Sequence, residues 1–254
     1  FHNHKLGELL RQSNVRKDKG VSLDILFQFL LTMAFTGKNL FRLLNTPDTP
    51  DIPPGISKDV VYRFLNCISS NWRKFLFLLS TRVILQKLLP LTDDATTKVL
   101  IADDTLYLRD RSKCVELLAR VHDHNTKRYH RGFRMLTLGW SDGNSFVPML
   151  FSMLSSSKEK NRLAAMRTDL DKRTNGYKRR QESVNKSPDV LVELVKVAMA
   201  AGSKARYLLF DSWFDPYLGV IIQVRVVDGV IRQGSKIKFM ASGAVCEVTE
   251  LGIF

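Results

Sequence analysis

Three aspartates stand at the ends of two apolar runs. In Lys98–Tyr107 (KVLIADDTLY), Asp103 and Asp104 follow Val99 to Ala102, and in Ala205–Phe214 (ARYLLFDSWF), Asp211 follows Tyr207 to Phe210. Both runs read as buried strands, so each delivers a carboxylate at its C-terminal end. If the strands are parallel neighbours, the carboxylates converge at the sheet edge where α/β folds place their ligands. Two carboxylates held that close repel each other unless a divalent cation lies between them. Hard oxygen donors beside a phosphate suit Mg²⁺ or Mn²⁺, and two such ions about 3.5–4 Å apart activate water and stabilise a leaving oxygen in phosphoryl transfer. An aspartate at a strand end also serves as a helix cap or turn residue. The pattern leaves both readings open, and leaves open whether Asp103 or Asp104 is the reactive group.

Helices and a sheet must position these groups. Leu23, Leu26, Phe27, Leu30, Leu31 and Ala34 recur at helical spacing, as do apolar residues between Ser57 and Leu89, so residues 1 to about 90 are expected to be mostly helix. Between them, Asn45–Gly55 holds Pro47, Pro50, Pro53 and Pro54, which remove amide donors and make a linker or exposed loop. Phe133–Trp140 and Ser145–Leu154 read as a hairpin about the Asp142-Gly143 turn. Ser155–Lys186 carries ten bases against four acids and reads as a mobile basic loop. Ser187 and Pro188 supply a cap and a first-turn proline for a helix ended by Gly202. The strand–hairpin–helix–strand order predicts an α/β protein with a mixed sheet.

Composition narrows the class. The 254 residues include 39 Lys and Arg against 25 Asp and Glu, a net charge of +14, which points to a polyanionic partner, nucleic acid first among them. The first 210 residues carry +15 and the rest −1, so the last forty-odd residues are expected to do a different job. Cys67, Cys114 and Cys246 form no CxxC pair, which argues against a disulfide framework or zinc knuckle and for a reducing cytoplasm. Val21–Phe35 is interrupted by Asp24, Gln28 and Thr32 and reads as a core helix rather than a membrane span. The chain starts at Phe1 rather than Met, from which a missing N-terminus is expected.

Several segments, in order, carry a resemblance: Ile101-Ala102-Asp103-Asp104-Thr105; His122-Asp123-His124 leading to Lys127-Arg128-Tyr129; Gly132-Phe133; Leu136 to Gly143; and Leu209-Phe210-Asp211-Ser212-Trp213-Phe214. Over about residues 1–214 the chain resembles a bacterial insertion-sequence transposase with an RNase H-like DDE domain. The resemblance implies a helical, DNA-binding-like region over 1–95 and a partial catalytic domain over 96–214. It implies Asp103 and Asp211 as catalytic metal ligands, with Asp104 as second choice, Mg²⁺ or Mn²⁺ as cofactor, and double-stranded transposon ends as substrate. A homodimer is compatible with it. It also implies a third acid, a Glu on a later helix, but none follows Asp211 in such a context. Glu247 and Glu250 alone lie beyond it, in what reads as a strand, and neither is assigned. On this reading the domain is truncated and unable to transfer strands.

Residues 215–254 read instead as antiparallel β structure, with turns at Asp228-Gly229 and Ser242-Gly243. Asp215-Pro216-Tyr217-Leu218-Gly219, Val224 to Gly229, Gly234-Ser235-Lys236-Ile237 and Phe239 to Gly243 resemble the start of the second, β-barrel domain of the translational GTPase elongation factor 4. That resemblance implies a ribosome contact through this segment. No phosphate-binding G-x-x-x-x-G-K-[ST] loop occurs. Charge, periodicity and motif change together at Asp211–Phe214, which suggests a hybrid joined there. Among the bases, Lys127, Arg128 and Arg131, with Lys178, Arg179 and Arg180, are expected to contact DNA phosphates. His122, His124 and His130 lie in the same positive field without Cys partners and suit a phosphate-contacting loop better than zinc. Arg63, Arg73, Lys74, Arg82 and Lys87 are a further phosphate-facing set, and Trp72, Trp140 and Trp213 read as core or turn anchors.

Overall fold

The computed structural model describes residues 4–37, 39–45, 52–93, 96–123, 126–210, 213–215, 219–221, 230–238 and 245–249. The chain divides into two compact units, residues 1–210 and 211–254.

The first unit opens with five short helices, α1 (Leu6–Gln12), α2 (Leu23–Phe35), α3 (Leu40–Asn45), α4 (Lys58–Leu65) and α5 (Trp72–Val83). Side chains set their starts. The Ser22 hydroxyl accepts from the Ile25 N–H, that of Ser57 from Val60, and the Asn71 amide oxygen from Lys74, each satisfying a donor the first turn leaves orphaned. The single helical stretch expected over 57–89 is therefore two helices, because Asn71 caps a new one after α4 ends at Leu65. After α5 the chain widens into a π turn over Ile84–Leu88 and tightens into a 3₁₀ turn at Leu89–Leu91, where Pro90 lacks the amide donor a helix needs to continue. Leu9, Leu10, Leu26, Val61 and Phe64 are buried at the centre of this layer. Phe27 stacks on Trp72, and Phe64 meets the same ring edge-on, so Trp72 is a partly buried anchor packed against this core.

The sheet follows: β1 (Val99–Leu108), β2 (Ala119–Asp123), β3 (Arg128–Ser141), β4 (Phe146–Leu154) and β5 (Tyr207–Phe210). β3 pairs antiparallel with β1 on one edge and with β2 and β4 on the other, while β5 lies parallel to the far side of β1. The order β4–β3–β1–β5, three antiparallel strands and then a parallel one, is that of an RNase H-like mixed sheet. At the β3–β4 turn, Asp142 Oδ1 accepts from the N–H groups of Asn144 and Ser145, and Gly143 takes φ +89°, a left-handed conformation that an L side chain resists. Gly132 serves a different need. A Cβ there would lie 2.4 Å from the Tyr107 carbonyl oxygen, so only glycine lets β1 and β3 pair closely at that point.

Two helices complete the unit, α6 (Asn175–Ser183) and α7 (Ser187–Ala200). The expectation of a mobile loop over 155–186 is corrected. Glu159–Asn161 forms a 3₁₀ turn, and Thr174 caps α6 by accepting from the Tyr177 N–H. Ser187 is the first residue of α7 rather than its cap, which is Lys186, and Pro188 sits in the first turn. Val190, Leu194 and Ala198 of α7 pack with Leu100, Ala102, Leu136, Leu138 and Trp140 of the sheet, and Ile84 joins them.

Among its described residues the second unit has two short antiparallel strand pairs, β6 (Trp213–Asp215) with β7 (Gly219–Ile221), and β8 (Lys236–Lys238) with β9 (Val245–Glu247). Antiparallel β structure was expected here. Glu247 stands in β9 opposite Lys236, and Glu250 and the Asp228-Gly229 and Ser242-Gly243 turns lie outside the described residues. No helix among the described residues is long and apolar enough to cross a membrane.

Candidate active site

The aspartates of β1 do not end their strand. β1 continues past them to Leu108, because β3 pairs with it without a break from Val99 to Leu108. Its parallel neighbour β5 is described as far as Phe210, which stands opposite Ala102. Asp103 therefore occupies the first position of β1 beyond the described β5 pairing. β5 is also less buried than its apolar sequence predicts, with Leu209 51% and Phe210 39% exposed. Asp211 lies outside the described residues.

Successive strand residues face opposite ways, and this separates Asp103 from Asp104. Asp104 lies on the face of Leu100 and Ala102, which are buried. Its Oδ2 accepts from Arg134 Nη1 at 2.9 Å, and Arg134 also donates to the His122 carbonyl. Asp104 is thus already neutralised by a neighbouring strand. Asp103 faces the other side and is exposed, and its Oδ2 accepts from the Thr105 hydroxyl at 2.9 Å. Of the two, Asp103 has the hard oxygen atoms accessible to an incoming Mg²⁺ or Mn²⁺. Among the described residues no group of three or more His, Cys, Asp or Glu could hold a metal ion, so Asp103 fits as one ligand of a set that needs partners beyond them.

The bases expected to meet DNA divide into two groups. Lys127, Arg128 and Arg131 are exposed, but they belong to a β2–β3 hairpin rather than a loop. Sequence reasoning missed β2; Lys127, with φ +55° in its turn, is a conformation that no residue-type signal announces. His130 Nδ1 lies 3.0 Å from Asp110 Oδ2, and Asp110 Oδ1 accepts the Arg131 backbone N–H. His122 packs its ring against Tyr129, and His124 lies outside the described residues. In α6 the arginines are paired inward. Arg179 donates to Glu182, and Arg180 Nε to Glu116 Oε1 at 2.8 Å, while Lys178 is exposed. Arg73 is likewise spent on Glu182, and Arg82 donates to the His4 carbonyl, so these two do not present a phosphate-facing surface.

Glu116 ties this region together. Partial burial pushes its carboxyl up, but the Arg180 guanidinium and the Arg167 backbone N–H outweigh that and hold it below its ordinary value. A carboxyl depressed in the fold adds stability above its unfolded pKa and loses it as pH falls through the folded value. Wild type should therefore exceed Glu116→Gln in stability at neutral pH, and the gap should close on acidification below about pH 4.5. Urea unfolding at a series of pH values checks this; a gap constant down to pH 3 would refute it.

Comparison with known proteins places the chain. The family model described as DDE superfamily endonuclease matches residues 8–232. A shorter stretch is similar to elongation factor 4 from Sorangium cellulosum, 59% identical over 49 residues, which cover 19% of this chain and 8% of that protein. It is also similar to elongation factor 4 from Staphylococcus carnosus, 63% identical over 46 residues (18% and 8%), and from Synechococcus elongatus, 52% over 52 residues (20% and 9%). The chain thus spans under a tenth of the length of these curated relatives. Fewer residues lie outside the family match than the likeness to elongation factor 4 needs, so the two overlap. No solved structure matches. With an RNase H-like sheet, an exposed aspartate on β1, and a family match over most of its length, the chain belongs to the DDE superfamily endonucleases.

Proposed function

We propose that residues 96–214 are the metal-binding core of an insertion-sequence transposase acting on double-stranded transposon ends, with Asp103 and Asp211 as ligands of Mg²⁺ or Mn²⁺. The carrying observation is the β1–β5 register. Phe210 stands opposite Ala102, and Asp211 is the next residue in sequence after Phe210. Asp103 is next after Ala102. The two aspartates thus follow a matched pair on parallel strands. Thr105 holds one oxygen of Asp103, and Arg134 withdraws Asp104 from competition. Asp103 and Asp211 would hold the ion, which when bound would supply water activation and stabilisation of the leaving oxygen. The helical region over 1–95 serves DNA binding, with Lys127, Arg128, Arg131 and Lys178 adding phosphate contacts. Arg179 and Arg180, already paired with Glu182 and Glu116, contribute less. Among the described residues no helix beyond Phe210 carries a third acid, so complete cleavage and strand transfer are expected to need an acid from outside them.

The test uses the full chain. Mn²⁺ binding followed by electron paramagnetic resonance should weaken by at least about tenfold in Asp103→Ala and in Asp211→Ala, while duplex DNA binding and its steep salt dependence persist. Equal Mn²⁺ binding by the double variant would sink the assignment.

A second reading rests on the likeness to elongation factor 4: residues 215–254 are the opening of a barrel domain joined at Asp211–Phe214, a non-catalytic or ribosome-associated segment. Sequencing the genomic locus across codons 205–220 tests the join, and two reading frames there would rule out a natural fusion. Ribosome co-sedimentation lost on deleting 215–254 would favour this second reading.

A further inference from the structure

The sheet face that carries Asp103 runs on into a cationic and aromatic surface. Along β1, Asp103, Thr105 and Tyr107 share a face by strand alternation. Pairing carries that face to Phe133 opposite Tyr107 on β3, and alternation carries it on to Arg131 and Tyr129. On β2, Arg120 stands opposite Arg131 and His122 opposite Tyr129. Phe133 is buried with Leu117 and Leu118. Beyond it the face opens, with Tyr129 73% exposed and both Arg120 and Arg131 exposed. At the end of β1 the Arg109 guanidinium stacks over the Tyr107 ring, 4.0 Å from its centroid, and the Arg109 backbone N–H donates to the Arg131 carbonyl.

Two features of this surface call for an anion. Arg120 and Arg131 are a directly opposed like-charge pair, an arrangement that destabilises a sheet. The neighbouring Asp110 attracts Arg131 but relieves the pair only in part, since its oxygens meet the His130 ring and the Arg131 backbone N–H rather than either guanidinium. Tyr129 adds an exposed ring beside these charges, tilted against His122 with 4.9 Å between ring centroids. Exposed aromatic rings interleaved with arginines fit an unpaired strand, whose bases have free faces, better than a duplex, whose base faces are already stacked.

We propose that the β2–β3 hairpin and the end of β1 bind an unpaired nucleic-acid strand. A base stacks on Tyr129, Arg109, Arg120 and Arg131 neutralise phosphates, and the strand leads along the sheet face toward Asp103. Its direction rests on the proposed reading of Asp103, whereas the binding does not. The test is fluorescence anisotropy of the full chain in EDTA, with a labelled duplex carrying a single-stranded thymidine extension and the same duplex blunt-ended. The wild type should prefer the extended duplex by about tenfold. Tyr129→Ala should abolish that preference while leaving blunt binding unchanged, and Tyr129→Phe should keep it. Arg120→Gln should lower the salt slope by about one. Equal binding of both duplexes by the wild type, or a preference that survives Tyr129→Ala, overturns the inference. Because no metal is present, neither result depends on Mn²⁺ binding at Asp103, so the two proposals fail separately.

Discussion

Replacing Trp140 by alanine is expected to destabilise the first unit by about 3–5 kcal/mol, the range for deleting a large buried aromatic. Trp140 is fully buried, pairs with Leu100 of β1, and packs among Leu138, Met149 and the α7 face. Its indole N–H donates to the Ser203 carbonyl at 2.9 Å, in the turn between α7 and β5. The ring therefore fills the core beneath β1 and fastens the approach to β5, the parallel neighbour of β1. Trp140→Phe separates the two contributions. It keeps most of the volume but leaves the Ser203 carbonyl without its donor, and should cost about 1–3 kcal/mol. Urea unfolding followed by circular dichroism measures both, and Mn²⁺ binding should weaken in step with the alanine variant's loss of structure. A Trp140→Ala protein within about 0.5 kcal/mol of wild type would show that the β3 core does not hold this region together.

The residues that could be read in advance are those whose signals are local. Asp142-Gly143 announces a tight turn because only certain residues tolerate its backbone, and the β3–β4 hairpin forms around it. Apolar periodicity marks α2 and α7 because each buries one stripe. Asp103 stands out by following an apolar run. What escaped has long-range causes. Nothing in KVLIADDTLY says that β1 runs on past its acids to Leu108, because its length is set by pairing with β3, some thirty residues later in the chain. Nor could Asp103 be separated from Asp104, since the distinction rests on Arg134 reaching across from β3. α6 is silent to periodicity, because Asn175–Ser183 holds Tyr177 as its single large ring and buries little. It is held by ion pairs, which leave no spacing signature. The same pairs explain why a segment of high positive charge is not a free phosphate-binding loop.

The strongest of those pairs yields the second large effect. Glu182 receives Arg73 Nη1 and Nη2 at 2.7 and 3.1 Å, Arg179 Nη1 at 2.7 Å and the Ser152 hydroxyl, so one carboxylate joins α5, β4 and α6. The Arg73 and Glu182 side chains are each only 17% exposed. Glu182→Ala would leave the Arg73 guanidinium largely buried beside the Phe151 carbonyl alone, and breaking such a pair from one side costs about 3–5 kcal/mol, discounted here toward the lower figure for residual solvent access. Glu182→Gln keeps an acceptor for Arg73 but removes the charge, and should lose less. Arg179→Ala, at 42% exposure, should cost at most about 1 kcal/mol. The ordering matters more than any single value. If the carboxylate bridges the helical layer and the sheet, urea unfolding should rank Glu182→Ala well below Glu182→Gln, with Arg179→Ala near wild type. Because the Arg73 bond is shielded from solvent, raising salt to about 0.5 M should leave that ranking in place. An alanine variant no weaker than Arg179→Ala would instead mean that apolar packing of α5 on β4 suffices, and that the charge cluster only decorates the junction.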